Sequence, residues 1–153
     1  MITCLVTRRT TVRAAWVKLV REAPIDATTS PIRGPHDVDK LLAARASAEL
    51  CEVFYVVALD SQSRILGVCE LTRGILNASL VHPREVFRVA LALGAAGIIV
   101  AHNHPSGDPT PSADDRNVTR QLVAAGRLLD VPVYDHVVLG SKRYVSFAET
   151  GLL

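Results

Sequence analysis

Two histidines and a nearby aspartate supply the residue types best suited to binding a metal ion. His102 and His104 stand one residue apart after the apolar run 97–101, and Asp115 follows eleven residues after the second histidine. Because alternate side chains of a strand share one face, the two imidazoles can point toward one position. Two imidazoles and a carboxylate, with a fourth position open for water, form a zinc arrangement of the catalytic type. The spacing therefore predicts a metal site.

The loop between the second histidine and the aspartate is suited to bringing the carboxylate back to the imidazoles. Its proline and glycine residues restrict the backbone and lower the entropy lost when the loop is fixed. These residues are Pro105, Gly107, Pro109 and Pro111. Ser112 can cap the helix that follows, which places Asp115 in its first turn. Asp114 is an alternative ligand, but the spacing H-x-H-x10-D favours Asp115.

Apolar periodicity along the chain predicts the elements that must position these side chains. Helices are predicted over 12–23, 37–50, 83–96 and 114–129, and strands over 53–59, 64–71, 97–101, 132–139 and 144–147. Thr10 or Thr11 is the predicted cap of the first helix and Asp37 that of the second. Helices interleaved with strands predict an α/β layered domain with a mixed sheet.

Length and composition indicate one ordinary globular domain. The 153 residues are 49% hydrophobic and 21% charged. Three scattered cysteines without a C-x-x-C pair suggest a reducing compartment. The N-terminus lacks the apolar core of a signal peptide, and the longest nearly apolar run, 89–101, is too short to span a bilayer. We therefore expect a cytoplasmic protein without a membrane partner.

Charge is unevenly distributed along the chain. Residues 1–29 hold five basic and two acidic side chains, whereas residues 30–153 hold 12 basic and 13 acidic ones. We interpret 1–29 as a basic helical extension and 30–153 as the domain, with the Pro/Ser/Thr-rich stretch 24–35 as the linker between them. The extension either docks on the domain with its charges solvated or serves as a basic arm for a partner or nucleic acid. The domain itself lacks the basic excess of a nucleic-acid-binding protein.

The segment HNHPSGDPTPSADD, residues 102–115, resembles the JAMM motif of MPN/JAB-domain metalloproteins, and specifically that of the bacterial RadC family. The similarity extends through NASLVHPREVFRVAL before it and to the end of the chain after it, so it covers roughly 30–153. It implies a single MPN/JAB domain with a cytidine deaminase-like fold, a mixed sheet flanked by helices. Full-length RadC proteins resemble a fusion with a helix-hairpin-helix segment, which we expect this chain to lack because 1–29 show no such hairpins.

The resemblance also implies roles for individual residues. It implies zinc bound by His102, His104 and Asp115, and it places Glu52, in CEVFYVVALD, on the glutamate that serves as general base. It places Ser112 on the serine that helps to hold the oxyanion.

Two other carboxylates compete with Glu52 as the base. We expect Glu49 to face solvent late in a helix, and Glu85 to lie in the first turn of a helix, where a carboxylate interacts favourably with the helix dipole. We therefore favour Glu52.

Together these observations predict a zinc-dependent metallohydrolase, a peptidase or isopeptidase acting on a peptide or ubiquitin-like protein. In that mechanism, zinc activates water, Glu52 transfers its proton to the leaving group, and zinc and Ser112 stabilise the oxyanion. One alternative is a DNA-processing accessory module in which the zinc is structural. Another is a metal-dependent nuclease, which the nearly neutral domain disfavours. A zinc deaminase would need H-x-E and P-C-x-x-C, and neither is present.

The remaining histidines and the cysteines have simpler interpretations. His136, on an otherwise apolar strand, is predicted to be a hydrogen-bonded structural residue rather than a ligand. His36 and His82 are predicted in loops or at helix starts. The cysteines are predicted in the core, since none has a partner motif for nucleophilic catalysis.

Overall fold

A mixed five-stranded sheet carries the candidate site at one of its ends. The computed structural model describes residues 4–8, 11–15, 30–74 and 81–153. The strands are β1 (Cys4–Arg8), β2 (Thr11–Ala15), β3 (Val53–Leu59), β4 (Ile65–Arg73), β5 (Gly97–Asn103), β6 (Val133–Leu139) and β7 (Tyr144–Ser146). The helices are α1 (Pro35–Ala46), α2 (Pro83–Ala92), α3 (Ala113–Leu129) and α4 (Phe147–Thr150). The sheet has the order β4-β3-β5-β6-β7, and β1 pairs with β2 separately.

The two central strands are apolar because both of their faces are covered. Every residue of β3 and of β5 is buried. Alternate β3 side chains enter two different clusters: Phe54 packs with residues of α2 and α3, whereas Tyr55 packs with residues of α1. The strands therefore show a continuous apolar run instead of the alternation of a half-exposed strand.

The pairing register brings the start of β3 to the end of β5. The two strands are antiparallel, with Phe54 opposite His102. Strand β6 is parallel to β5 and places Leu139 beside Asn103. The residue that precedes β3 by one position, Glu52, therefore lies at the same end of the sheet as the histidines.

The predicted α/β domain with a mixed sheet is confirmed, and the predicted bounds of β3 agree with the structure. The predicted helix over 12–23 is wrong at its start. Thr11–Ala15 form a strand paired with Cys4–Arg8, in keeping with the β-branched residues at these positions. Residues 16–29, which include the rest of that helix and the first half of the predicted linker, lie outside the described residues.

The other predicted elements are present with ends shifted by up to four residues, and three of these shifts have local reasons. Gly34, not Asp37, occupies the cap of α1, and the Asp37 carboxylate instead accepts a hydrogen bond from the Arg33 N–H. Helix α2 ends at Ala92 because Gly94 adopts a left-handed conformation with φ 64°. Phe147 begins the short helix α4 instead of ending β7, since the Ser146 hydroxyl caps that helix.

None of the helices described in the structure has the length and apolar character needed to cross a membrane.

Candidate metal centre

The three predicted ligands meet where β5 ends and α3 begins. His102 is fully buried on β5, His104 follows the last residue of that strand, and Asp115 is buried in the first turn of α3. His102 Nε2 lies 3.0 Å from His104 Nε2 and 3.2 Å from Asp115 Oδ1. His104 Nε2 lies 3.6 Å from Asp115 Oδ2. Among the described residues these three form a group that could hold a metal ion.

These separations fit a tetrahedral zinc site. Zinc–nitrogen bonds of about 2.0–2.1 Å at tetrahedral angles place two ligand atoms about 3.3 Å apart. The contacts between His102, His104 and Asp115 lie close to that value, so the three side chains have the spacing that such an ion requires. Two imidazole nitrogens and one carboxylate oxygen also form a donor set that zinc accepts.

The loop between His104 and α3 is held against the turn that joins β6 to β7. The His104 N–H donates to the Leu139 carbonyl, and the Ser141 N–H donates to the Gly107 carbonyl, both at 2.9 Å. A Cβ atom on Gly140 would lie 2.5 Å from the Gly107 carbonyl oxygen, so only glycine allows this approach. Backbone hydrogen bonds to the turn between β6 and β7 therefore fix the loop on both sides of its first turn.

Ser112 caps α3 and orients Asp115 at the same time. The Asp115 N–H donates to Ser112 Oγ, and Asp115 Oδ2 accepts from the Ser112 N–H at 2.7 Å and the Ser112 hydroxyl at 2.6 Å. This reciprocal pairing is a capping box. The predicted cap is confirmed, and Asp115 Oδ1 is left facing His102. The hydroxyl predicted to hold an oxyanion lies beside the ligand carboxylate.

Each of the two predicted histidine ligands has its second ring nitrogen in a hydrogen bond. His104 Nδ1 lies 2.7 Å from the Asp108 carbonyl oxygen. A carbonyl only accepts, so Nδ1 carries the proton and Nε2 presents its lone pair to the site.

A chain of hydrogen bonds has the same effect on His102. The Thr119 hydroxyl donates to the Asp115 carbonyl oxygen and must therefore accept from His136 Nδ1–H, both at 2.6 Å. Burial lowers the pKa of His136 well below its ordinary value and keeps the ring neutral. His136 Nε2 then accepts from His102 Nδ1–H at 2.8 Å, which leaves the lone pair of His102 Nε2 directed at the site.

The charges of the site are coupled. Burial opposes ionisation of Asp115, but its interactions with His102 and His104 and the hydrogen bond from Ser112 outweigh that effect and hold the pKa of this carboxyl far below its ordinary range. The hydrogen bond to Asp115 raises the pKa of His104 above its ordinary value, against the opposing effect of burial. The negative charge of Glu52 contributes in the same direction. The Glu52 carboxylate is therefore within electrostatic range of a ligand, although it is not a member of the ligand group.

The structure also locates the competing carboxylates. Arg73 pairs with both Glu49 and Glu70, and Glu85 pairs with two arginines of α2. Asp114 is exposed and lies outside the ligand group. Of the three glutamates considered as bases, Glu52 is the one whose charge acts on a ligand histidine.

His136 is a buried, hydrogen-bonded residue as predicted, but its contact with His102 was not foreseen. Thr119 and Asn103 were also missed. Thr119 lies four residues after Asp115, one turn along α3, and this spacing could have identified it. The contacts of His136 and Asn103 join residues that are far apart in sequence and depend on how the strands pair. No short-range spacing in the sequence could have identified them.

Known proteins resemble this chain over most of its length. A family model described as a RadC-like JAB domain matches residues 32–152. A UPF0758 protein of Symbiobacterium thermophilum is 46% identical over 132 residues, which cover 83% of this chain and 56% of that protein. A UPF0758 protein of Moorella thermoacetica is 45% identical over 133 residues, which cover 87% of this chain and 58% of that protein.

A UPF0758 protein of Chloroflexus aurantiacus is 48% identical over 122 residues, 80% of this chain and 53% of that protein. The chain thus spans little more than half the length of these relatives. These findings confirm the predicted resemblance and a single α/β domain of JAB type. The chain belongs to the RadC-like JAB domain family.

Proposed function

We propose that this protein is a zinc-dependent hydrolase of amide or isopeptide bonds. The observation that carries the proposal is the convergence of His102, His104 and Asp115 on one point, with Glu52 outside the ligand group but at the same end of the sheet. A structural zinc site has four protein ligands, whereas a catalytic one has three and an open position. Within the described part of the chain the group has three members, which favours the catalytic type.

The ligand residues prepare the site before any substrate binds. Hydrogen bonds hold the Nε2 lone pairs of His102 and His104 toward the site, and the capping box holds Asp115 ionised beside them. A zinc ion bound there supplies Lewis acidity, which makes water a nucleophile near neutral pH and polarises a carbonyl group.

Glu52 and Ser112 supply the remaining steps. Glu52 accepts the proton of the attacking water and delivers it to the departing amine, so no covalent intermediate with the protein forms. The Ser112 hydroxyl, which lies beside the ligand carboxylate, turns from Asp115 to donate to the developing oxyanion. The proposed substrates are peptides or ubiquitin-like proteins. The free thiols of Cys51 and Cys69 support a reducing, cytoplasmic setting.

A substrate panel tests the proposal. Purified protein loaded with zinc would be incubated with linear peptides, an isopeptide-linked ubiquitin-like conjugate, and single- and double-stranded DNA. We expect hydrolysis of an amide substrate that a chelator abolishes and added zinc restores, with DNA left intact. Zinc-loaded protein that cleaves DNA but no amide would support the nuclease instead, and zinc-loaded protein without any turnover would favour a structural role for the metal.

A further inference from the structure

We infer that Asn103, the residue between the two ligand histidines, is a positioning residue that holds Glu52 at the metal centre. This inference rests on the proposed function, because it assigns a task to the surroundings of the general base. Asn103 is the last residue of β5, and its side chain is nearly completely buried, with 3% exposure. A buried amide requires partners for both of its polar ends.

Both partners of the Asn103 amide are backbone groups that flank Glu52. Its Oδ1 accepts a hydrogen bond from the Val53 N–H at 2.8 Å, and its Nδ2 donates to the Cys51 carbonyl oxygen at 3.0 Å. A single side chain therefore binds the residue before Glu52 and the residue after it. Serine, leucine or aspartate could not supply a donor and an acceptor with this spacing.

The opposite side of this segment is bound by the end of β4. The Gly74 N–H donates to the Glu52 carbonyl oxygen at 2.9 Å. Arg73 pairs with Glu49, three residues before Glu52, and with Glu70 on its own strand. The backbone groups of three consecutive residues, 51–53, are thus hydrogen-bonded, two of them to the Asn103 side chain.

This arrangement joins the base to the ligands through one short stretch of β5. His102 and His104 direct their imidazoles into the site, and Asn103 directs its amide to the segment that carries Glu52. A displacement of Glu52 relative to the ligands would require the buried Asn103 hydrogen bonds to break. Catalytic groups lose much of their effect when they move by as little as about 1 Å.

The test uses Asn103→Leu, which removes both hydrogen bonds at similar size, and Asn103→Ala as a second variant should leucine prevent folding. Ser146→Ala is the matched control. Ser146 is also buried, and its hydroxyl makes two hydrogen bonds: it donates to the Asp135 carboxylate and accepts from the Glu149 N–H, which caps α4. Both bonds lie away from Glu52. Each variant would be made in the wild-type and in the Glu52→Gln background and loaded with zinc.

Three comparisons distinguish a positioning role of Asn103 from general stabilisation of the fold: the kinetic constants of the variant, its effect in the Glu52→Gln background, and the exchange of the Val53 amide. We expect Asn103→Leu to lower kcat by about 10-fold or more while KM and the zinc Kd change by less than about twofold. In the Glu52→Gln background the same substitution should change the residual kcat by less than about twofold, because Asn103 acts through the Glu52 carboxylate and that carboxylate is absent there. The Val53 amide should exchange its hydrogen faster in Asn103→Leu and Asn103→Ala, but not in Ser146→Ala.

An equal loss of kcat in both backgrounds, or an unchanged Val53 exchange rate, would overturn the inference. Crystal structures of zinc-loaded wild type and Asn103→Leu separate this question from the proposed function. Absence of turnover in the wild type contradicts the hydrolase, whereas a Glu52 carboxylate that keeps its distance to His104 in the variant contradicts the role of Asn103.

Discussion

At the scale of single residues, the hydrogen-bond partners of His102 and His104 determine which nitrogen of each ring faces the candidate metal site. The Asp115 and Asp108 carbonyls can only accept, so they fix the direction of the hydrogen bonds that reach Nδ1 of His102 and Nδ1 of His104. Loss of such outer partners typically lowers metal affinity by about 10–100-fold. The residues that hold the two rings are therefore part of what the site requires.

Removing the Thr119 hydroxyl tests this dependence. Thr119→Val leaves His136 Nδ1 without its partner, so the His136 tautomer that accepts from His102 is no longer favoured. We expect zinc affinity, measured by competition with a chelating dye, to fall about 10-fold or more. Thr150→Val is the matched control, because Thr150 also donates to the carbonyl four residues earlier on a helix. An equal effect of both variants would contradict the account.

A second prediction concerns His104 in the zinc-free protein. Its pKa is raised above the ordinary 6.5, chiefly by Asp115. The contribution of this pair to the free energy of unfolding is therefore complete below about pH 6.5 and is lost as pH rises through the folded pKa.

Denaturation with chelator present measures that contribution. The difference in free energy of unfolding between wild type and His104→Gln should be larger at about pH 6 than at about pH 9. A difference that stays constant or grows with pH would show that Asp115 does not stabilise the charged form of His104.

At the scale of elements, the site depends on the anchoring of the loop between β5 and α3. Gly140, in the turn between β6 and β7, lies so close to that loop that a methyl group would meet the Gly107 carbonyl oxygen and Pro109. The loop carries the Asp108 carbonyl that engages His104. The close packing of the Gly140 turn against this loop therefore affects the position of His104, a proposed metal ligand.

Gly140→Ala should displace the loop and destabilise the protein by about 1–3 kcal/mol, with weaker zinc binding as a consequence. Gly34→Ala is the control. Gly34 has extended backbone, and a Cβ there would meet nothing within 4 Å. Chemical denaturation should show a change of less than about 0.5 kcal/mol for the control. Equal stability of the two variants would contradict the tight approach.

The elements differ in how far sequence alone could predict them. Strand β3 and helix α3 were predictable because an apolar run of β-branched residues and a serine cap are local signals. The three residues that converge at the candidate metal centre were likewise visible in the spacing of one loop. The β1–β2 hairpin was missed because Val12 and Ala15 also fit a helical period, and the choice between the two periods is not a local one. The contacts of His136 and Asn103 arise from pairing between strands distant in sequence.

At the scale of the whole molecule, a bound metal would connect the sheet to α3 and so stabilise the fold. A ligand that binds only the folded state stabilises it by about 2.7 kcal/mol at a concentration 100 times its Kd. Zinc should therefore raise the Tm of the wild type in scanning calorimetry. His102→Ala should abolish this increase, and an undiminished increase in that variant would place the metal elsewhere.

The most direct test of the central claim is the turnover of Glu52→Gln at a zinc content equal to that of the wild type. The account predicts that the variant retains about one zinc per chain, because Glu52 is outside the ligand group, and loses about 100-fold or more of kcat for lack of a base. Unchanged turnover, or loss of zinc from the variant, would contradict the account.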